Sequence, residues 1–395
     1  MSLPRLSARL GQLPHSVLAE LAARLCSESA ALQAAEACMA AHNPLQHEMV
    51  ERVLLSRDLV PYILGPLETA DGAAAAVCSQ WLTGWKATNE PRRRLKQVPF
   101  DFAHIMRPTL VPTSSASAGE ALQMAATPDG RLVVRAGKSE VLILDRSMRV
   151  LQTVMRVMPA GCLFAANDDS IFSCSYHGVQ APPVLYRCTY DGTVAAEFQL
   201  EAFDFSSPVL APGGLLFCVI NEEEPGRDEI IALDAQTLQI RHRFGVGLLD
   251  GARQLVVVGD ELYVCDTCNN RLQVFSLTGE HRRSVMGEWK SPHRLCVAKD
   301  RLYLVERDDW LAEDGNRDTA RAAALLRGRR LLVLSLQGDI LQIVTHPTEP
   351  TAQFQSICCF EGKLLASYQC ESTTDNGGWR AAYRVACGVL TFQGL

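Results

Sequence analysis

The residues best suited to chemistry in this 395-residue chain are carboxylates, amides and cysteines in its second half. Cys265-x-x-Cys268 has the spacing of half a zinc site, but no second Cys or His pair stands at ligand distance along the sequence. The two flank Asp266 in a predicted strand-end turn, so they are expected to be structural and no metal is expected. Asn167, Asn221, Asp266, Asn269 and Glu306 also fall near predicted strand ends. Carboxylate and amide oxygens of this kind are what a calcium ion takes. They also occupy turns because they satisfy backbone donors. No paired motif anchors a site among them, so no catalytic residue and no cofactor is expected.

Three basic clusters, Arg241-His242-Arg243, His281-Arg282-Arg283 and Arg327-Gly328-Arg329-Arg330, could line one face and contact RNA. Yet residues 119–395 are net acidic, and no exposed aromatics interleave with these runs to stack on bases. The whole chain carries a net charge of −6, whereas phosphate neutralisation needs clustered positive charge. A solvated edge is the expected role, and nucleic acid is not an expected partner. The run Arg92-Arg93-Arg94-Leu95-Lys96 is read as a solvated helix end, where cations meet the negative helix terminus.

The elements that position these residues change character near residue 100. Before it, Ala and Leu dominate at helical spacing. After it, short β-branched and aromatic runs alternate with Gly/Asp turns. With 48% hydrophobic and 21% charged residues, a large core is expected. The first residues lack an apolar run of signal-peptide length, and no stretch approaches the roughly 20 apolar residues of a membrane span. The 14 cysteines are scattered, with Cys174, Cys218 and Cys296 inside predicted strands. They read as reduced small hydrophobes, and a cytoplasmic or nuclear location is expected.

The second part repeats. Polar turns at Asp129-Gly130, Asp168-Asp169, Gly213-Gly214, Gly259-Asp260, Lys299-Asp300 and Glu361-Gly362 each precede an apolar strand. A further strand ends at a turn in Val141–Asp145, Ile230–Asp234, Leu272–Ser276 and Leu331–Ser335. Most turns recur at about 40–46 residues, the length of a four-stranded blade. The last interval is longer because residues 308–328 are inserted, with Thr319–Leu326 expected as a short helix. Such a sheet cannot bury both faces alone, so blades stack radially and close into a ring. The fold class is therefore α+β multidomain: a helical module over residues 1–98, a linker or leading strand over 99–118, and a six-bladed β-propeller over 119–395. The ring is expected to close either with a strand from about 100–118 or with Gly388–Leu395 alone. The acidic stretch Glu222–Glu224 and the insertion are loops, where partner contacts on a propeller face are expected.

The fourth copy, Gly259-Asp-Glu-Leu-Tyr-Val-Cys-Asp-Thr-Cys-Asn-Asn-Arg-Leu-Gln-Val-Phe-Ser-Leu-Thr-Gly279, resembles an NHL repeat. In that family the residues matching Asp266 and Arg271 tie adjacent strands together within the blade. The other five copies keep the hydrophobic skeleton but not the Asp/Asn/Arg set.

The helical part carries a second resemblance. Leu55, Asp58, Leu59, Val60, Ile63, Leu64, Leu67, Asp71, Val77, Cys78 and Trp81 fall on the positions of an F-box, with the match centred on 54–85. Ser56 stands where the family has Pro, and Gly72 where it has Leu. A similar start recurs at Leu13-Pro14, without the closing Trp. The resemblance implies a three-helix module that packs on a Skp-type adaptor of a cullin ubiquitin ligase. Leu55, Leu59, Val60, Ile63, Leu64, Leu67, Val77, Cys78 and Trp81 would then make the contact or hold the module together. The competing reading is a plain helical cap.

Together these features predict a substrate-recognition adaptor: the helical module recruits the ligase core and the propeller holds a target protein. Two other classes compete. One is a calcium-dependent lactonase- or esterase-type hydrolase, since some six-bladed propellers hold calcium in the channel. The other is an NHL-like scaffold or RNA-binding protein.

Overall fold

The computed structural model describes residues 56, 59–64, 79–98, 123–136, 140–155, 164–175, 183–199, 204–222, 224, 226–306, 328–349, 352–370 and 386–393. Contacts divide the chain into two units, Met1–Lys96 with Gly394–Leu395, and Gln97–Gln393.

In the first unit the described residues form helices α1 (Val60–Leu64), α2 (Ser79–Ala87) and α3 (Asn89–Arg92). Pro61 sits in the first turn of α1, where its missing N–H costs no hydrogen bond. Val60 N–H donates to the Ser56 carbonyl at 3.0 Å and starts the helix. Lys86 lies in the last turn of α2, where a cation suits the helix dipole. Val60, Leu64 and Trp81 are buried, whereas Leu59 is 42% exposed. The helices α1 and α2 pack closely because Gly84 faces α1: a Cβ there would stand 2.3 Å from Val60 Cγ1. The expected module residues Leu55, Leu67, Val77 and Cys78, and the Leu13-Pro14 stretch, lie outside the described residues. The basic run differs from expectation at its centre. Arg93 and Leu95 are buried while Arg94 and Lys96 are exposed, because the chain turns from α3 directly into a strand.

The second unit is a propeller of six four-stranded sheets. Blade I comprises β2 (Gln123–Ala126), β3 (Leu132–Ala136), β4 (Glu140–Leu144) and β5 (Val150–Met155). Blade II comprises β6 (Phe164–Ala166), β7 (Ser170–Ser175), β8 (Val184–Thr189) and β9 (Val194–Gln199). Blade III holds β10 (Asp204–Ala211), β11 (Leu215–Asn221), β12 (Glu229–Asp234) and β13 (Ile240–Phe244). Blade IV holds β14 (Ala252–Val258), β15 (Glu261–Asp266), β16 (Arg271–Ser276) and β17 (His281–Met286). Blade V is β18 (Pro292–Ala298), β19 (Arg301–Glu306), β20 (Leu331–Ser335) and β21 (Ile340–Val344). Blade VI is β22 (Ala352–Phe360), β23 (Lys363–Cys370), β24 (Ala386–Gln393) and, as its outermost strand, β1 (Lys96–Val98).

The six polar turns noted in the sequence join the first and second strands of the six blades. Gly130 and Gly213 adopt φ of 83° and 80°, a region glycine enters without steric cost. The middle strands are buried on both faces because a blade stands on either side; β11 and β15 are almost continuously buried. The outer strands β9, β13 and β17 are largely exposed. The inner strands touch in a closed cycle, β2 to β6, β10, β14, β18, β22 and back to β2. Apolar cores fill the spaces between successive blades. One joins Phe217, Val219 and Ala232 of blade III to Leu255, Leu262 and Phe275 of blade IV.

Ring closure differs from both expected routes. The closing strand comes from Lys96–Val98, ahead of residues 99–118, and β24 is the third strand of its blade, not the last. No helix among the described residues is long and apolar enough to cross a membrane.

Candidate functional site

The polar residues singled out in the sequence collect where the second strand of a blade hands over to the third. In blade IV that rung is Asp266 opposite Arg271. Arg271 Nε donates to Asp266 Oδ2 at 2.7 Å, and Asn269 Nδ2 donates to both carboxylate oxygens at 3.0 and 3.1 Å. The Asp250 N–H, just ahead of the inner strand β14, donates to Oδ1 at 2.8 Å. Asp266 has no exposed surface, and this set of donors offsets the cost of burying its charge. The pair thus ties strands together as the NHL resemblance implies.

The same rung recurs in blade V, where no motif marks it. Pro292 pairs with Glu306 as Ala252 pairs with Asp266, so Glu306 is the positional equivalent of Asp266. Arg330 Nε and Nη2 donate to its two oxygens at 2.7 and 2.6 Å, and the Lys290 N–H donates at 2.9 Å. The insertion had hidden this pair by placing its members 24 residues apart. The fifth copy thus keeps an acid–arginine pair, although it lacks the full Asp/Asn/Arg set of the fourth. Blade III carries a variant without arginine. Asn221 Nδ2 donates to Asp228 Oδ2 at 3.0 Å and to the Ala252 carbonyl at 2.8 Å, while the Ala252 N–H donates to Asp228 Oδ2 at 2.8 Å. Sequence reading missed Asp228, whose only signal was its place at the start of a strand.

These three rungs are clamps. Asp266 and Glu306 accept from arginine and from backbone, and Asn221 is spent on Asp228. Asn167 lies elsewhere, in a polar turn of blade II, where its Oδ1 accepts from the Asp169 and Ser170 N–H groups. The five calcium candidates therefore do not converge. No group of three or more His, Cys, Asp or Glu side chains suited to a metal occurs among the described residues. Near the clamps, burial and the neighbouring Asp228 and Asp266 raise the Asp250 carboxyl above its ordinary range. Cys265 and Cys268 diverge: the first is buried in the blade core and the second is exposed beside Gly251.

The arginines of the first two basic clusters are paired within their own blades, and of the third cluster Arg330 holds Glu306. Arg241 meets Asp234 at 2.6 Å, Arg243 meets Glu229, and Arg282 reaches Asp260 at 2.6 Å and Glu261 at 3.2 Å. Arg283 holds Glu261 as well, donating to Oε2 at 2.8 Å, and it lowers that carboxyl to about 2. His242 stacks on Phe244, and His281 contacts Gln273 Oε1 at 2.9 Å. These arginines are thus tied to carboxylates, and the polar rim is neutralised locally.

Residues 249–275 match the NHL repeat family. The match falls on blade IV, the blade with the Asp266–Arg271 clamp. Several solved structures are similar to this chain at low identity. The WD40 propeller domain of Doa1 is 13% identical, covering 70% of this chain and 80% of that one, with a TM-score of 0.45. A luciferin-regenerating enzyme is 12% identical over 70% and 92%, with a TM-score of 0.47. BamB from Moraxella catarrhalis is 14% identical over 70% and 84%, with a TM-score of 0.41. No curated protein matches the chain.

Proposed function

We propose that this protein is a recognition adaptor of a cullin-type ubiquitin ligase. Its F-box-like helices dock on a Skp-type adaptor and its propeller holds a target protein. The observation that carries the reading is the division of apolar residues in the helical unit. Val60 and Leu64 pack against Gly84 of α2 and Trp81 is buried, while Leu59 and Leu82 stay more than 40% exposed. A small helical unit that leaves leucines in water gains by burying them against a partner. The clamped carboxylates and paired arginines of the propeller suit a rigid platform.

In this reading the chain performs no chemistry. It supplies effective concentration and orientation to a reaction carried out by its partners. It needs no cofactor, metal, membrane or nucleic acid, and it works in the cytoplasm or nucleus. The test is capture of a purified Skp-type adaptor by the full chain. Leu59→Asp is expected to weaken capture by about tenfold or more while leaving the fold intact, because Leu59 is exposed. Absence of binding by the unaltered protein overturns the proposal. Calcium-dependent stabilisation with ester or lactone turnover would replace it by the hydrolase reading.

A further inference from the structure

Two cysteines from different blades meet beside the propeller axis. Cys296 lies on β18, the inner strand of blade V, and Cys359 on β22, the inner strand of blade VI. Their sulfurs are 3.5 Å apart although 63 residues separate them in sequence. The strand alternation explains the meeting. Leu295 and Val297 pack into the core shared with blade IV, which turns Cys296 toward blade VI. Cys358 and Phe360 pack into the core shared with blade I, which turns Cys359 toward blade V. Arg294 fixes the same junction by donating from Nε to the Gln355 carbonyl at 2.9 Å.

Both residues are only half-buried, unlike Cys174, Cys188, Cys218, Cys265 and Cys358, which are sealed in the cores. Two partly buried thiols in van der Waals contact on separate sheets form a dithiol site. A structural zinc ion would need further ligands, and no group of three or more metal-ligating side chains occurs among the described residues.

We propose that Cys296 and Cys359 form a reversible disulfide that staples blade V to the ring-closing blade VI, with hydrogen peroxide as the oxidant. One thiol gives up its proton and attacks a peroxide oxygen. The O–O bond breaks, leaving a sulfenic acid and one water. The second sulfur, as it loses its proton, attacks the sulfenic sulfur; the S–O bond breaks, a second water leaves and the S–S bond forms. The two sulfurs lose two electrons, peroxide gains them, and the two thiol protons end in water. Closing from 3.5 Å to a disulfide of about 2.05 Å needs roughly 0.7 Å of movement from each sulfur, within reach of side-chain rotation. A small thiol in excess reverses the reaction by exchange. Burial, together with the neighbouring Cys359, pushes the Cys296 thiol well above its ordinary range. Oxidation therefore accelerates as pH rises.

The staple acts on ring closure, because blade VI is otherwise completed by the three residues of β1. It is independent of the adaptor reading. In the test, the reduced full chain is treated with dilute hydrogen peroxide, alkylated and mapped by mass spectrometry. The expected product is a peptide pair joined through Cys296 and Cys359, two hydrogens lighter than the reduced pair. A rise of about 5–10 °C in Tm, reversed by dithiothreitol, should accompany it. Cys296→Ser and Cys359→Ser should each abolish both changes, and Cys268→Ser, at an exposed position, should abolish neither. Stable sulfinic acids at these positions, a cross-link through other cysteines, or a cross-link without a Tm rise overturns the proposal.

Discussion

Glu306 is 1% exposed, and Arg330 closes over both of its oxygens. A buried carboxylate in this position is stable only while its partner remains, because the burial cost of each ion is several kcal/mol. Arg330→Met should therefore destabilise the propeller by about 3–5 kcal/mol, measured by urea unfolding. Glu306→Gln combined with Arg330→Met should recover most of that loss, since no unpaired charge is left inside. If the single and double variants are equally unstable, the pair is not the clamp described here. The Asp266 site is built on the same plan, with Asn269 and the Asp250 N–H adding to the arginine. Its side chains, Asp266, Asn269 and Arg271, stand within five positions of one another, which made it legible as a motif. The equivalent pair in blade V was not legible, because strand register and not sequence spacing brings Glu306 and Arg330 together.

At the scale of elements, the helical unit depends on how closely α1 and α2 approach. Gly84 has Val60 Cγ1 where its own Cβ would be, and Val60 is a stiff β-branched side chain with 1% exposure. Gly84→Leu should cost the helical unit about 1–3 kcal/mol through overpacking, even though leucine is the better helix former. Limited proteolysis should show faster cleavage before residue 96, with the propeller fragment surviving. An unchanged cleavage pattern would mean that the close approach carries no energy. The helical spacing of 59, 60, 63 and 64 was readable, but not the division of labour among them. Neighbouring positions on a helix point about 100° apart, and only the packing of α2 decides that Val60 turns inward and Leu59 outward.

At the scale of the whole molecule, the ring is closed by β1, three residues that pair with β24 at the outer edge of blade VI. The strand comes from well before the first complete blade, so it joins the two ends of the propeller. A proline at the central position of β1 should loosen this closure by breaking its extended pairing. Gln97→Pro is expected to lower the propeller's Tm by a few degrees and to speed backbone hydrogen exchange in β24 more than in blades II to IV. Equal exchange throughout the ring would show that the inner-strand cycle holds without it. The blade count was fully legible because each polar turn and its following apolar strand is a local signal, repeated six times in phase. The closing strand was not. Lys-Gln-Val has no alternation of its own, and its conformation comes from a partner almost 300 residues away.

The sequence by itself determined the repeat, the six blades and the Asp266–Arg271 clamp. Each rests on side chains that interact within a few positions of one another, where spacing and period translate directly into geometry. Tertiary structure decided which strand closes the ring, that Glu306 meets Arg330, that Arg241, Arg243, Arg282 and Arg283 find carboxylates in their own blades, and that Cys296 faces Cys359. Those outcomes depend on register between strands and on contact between blades. A sheet brings together residues tens of positions apart, and no local pattern in the chain records which of them will meet.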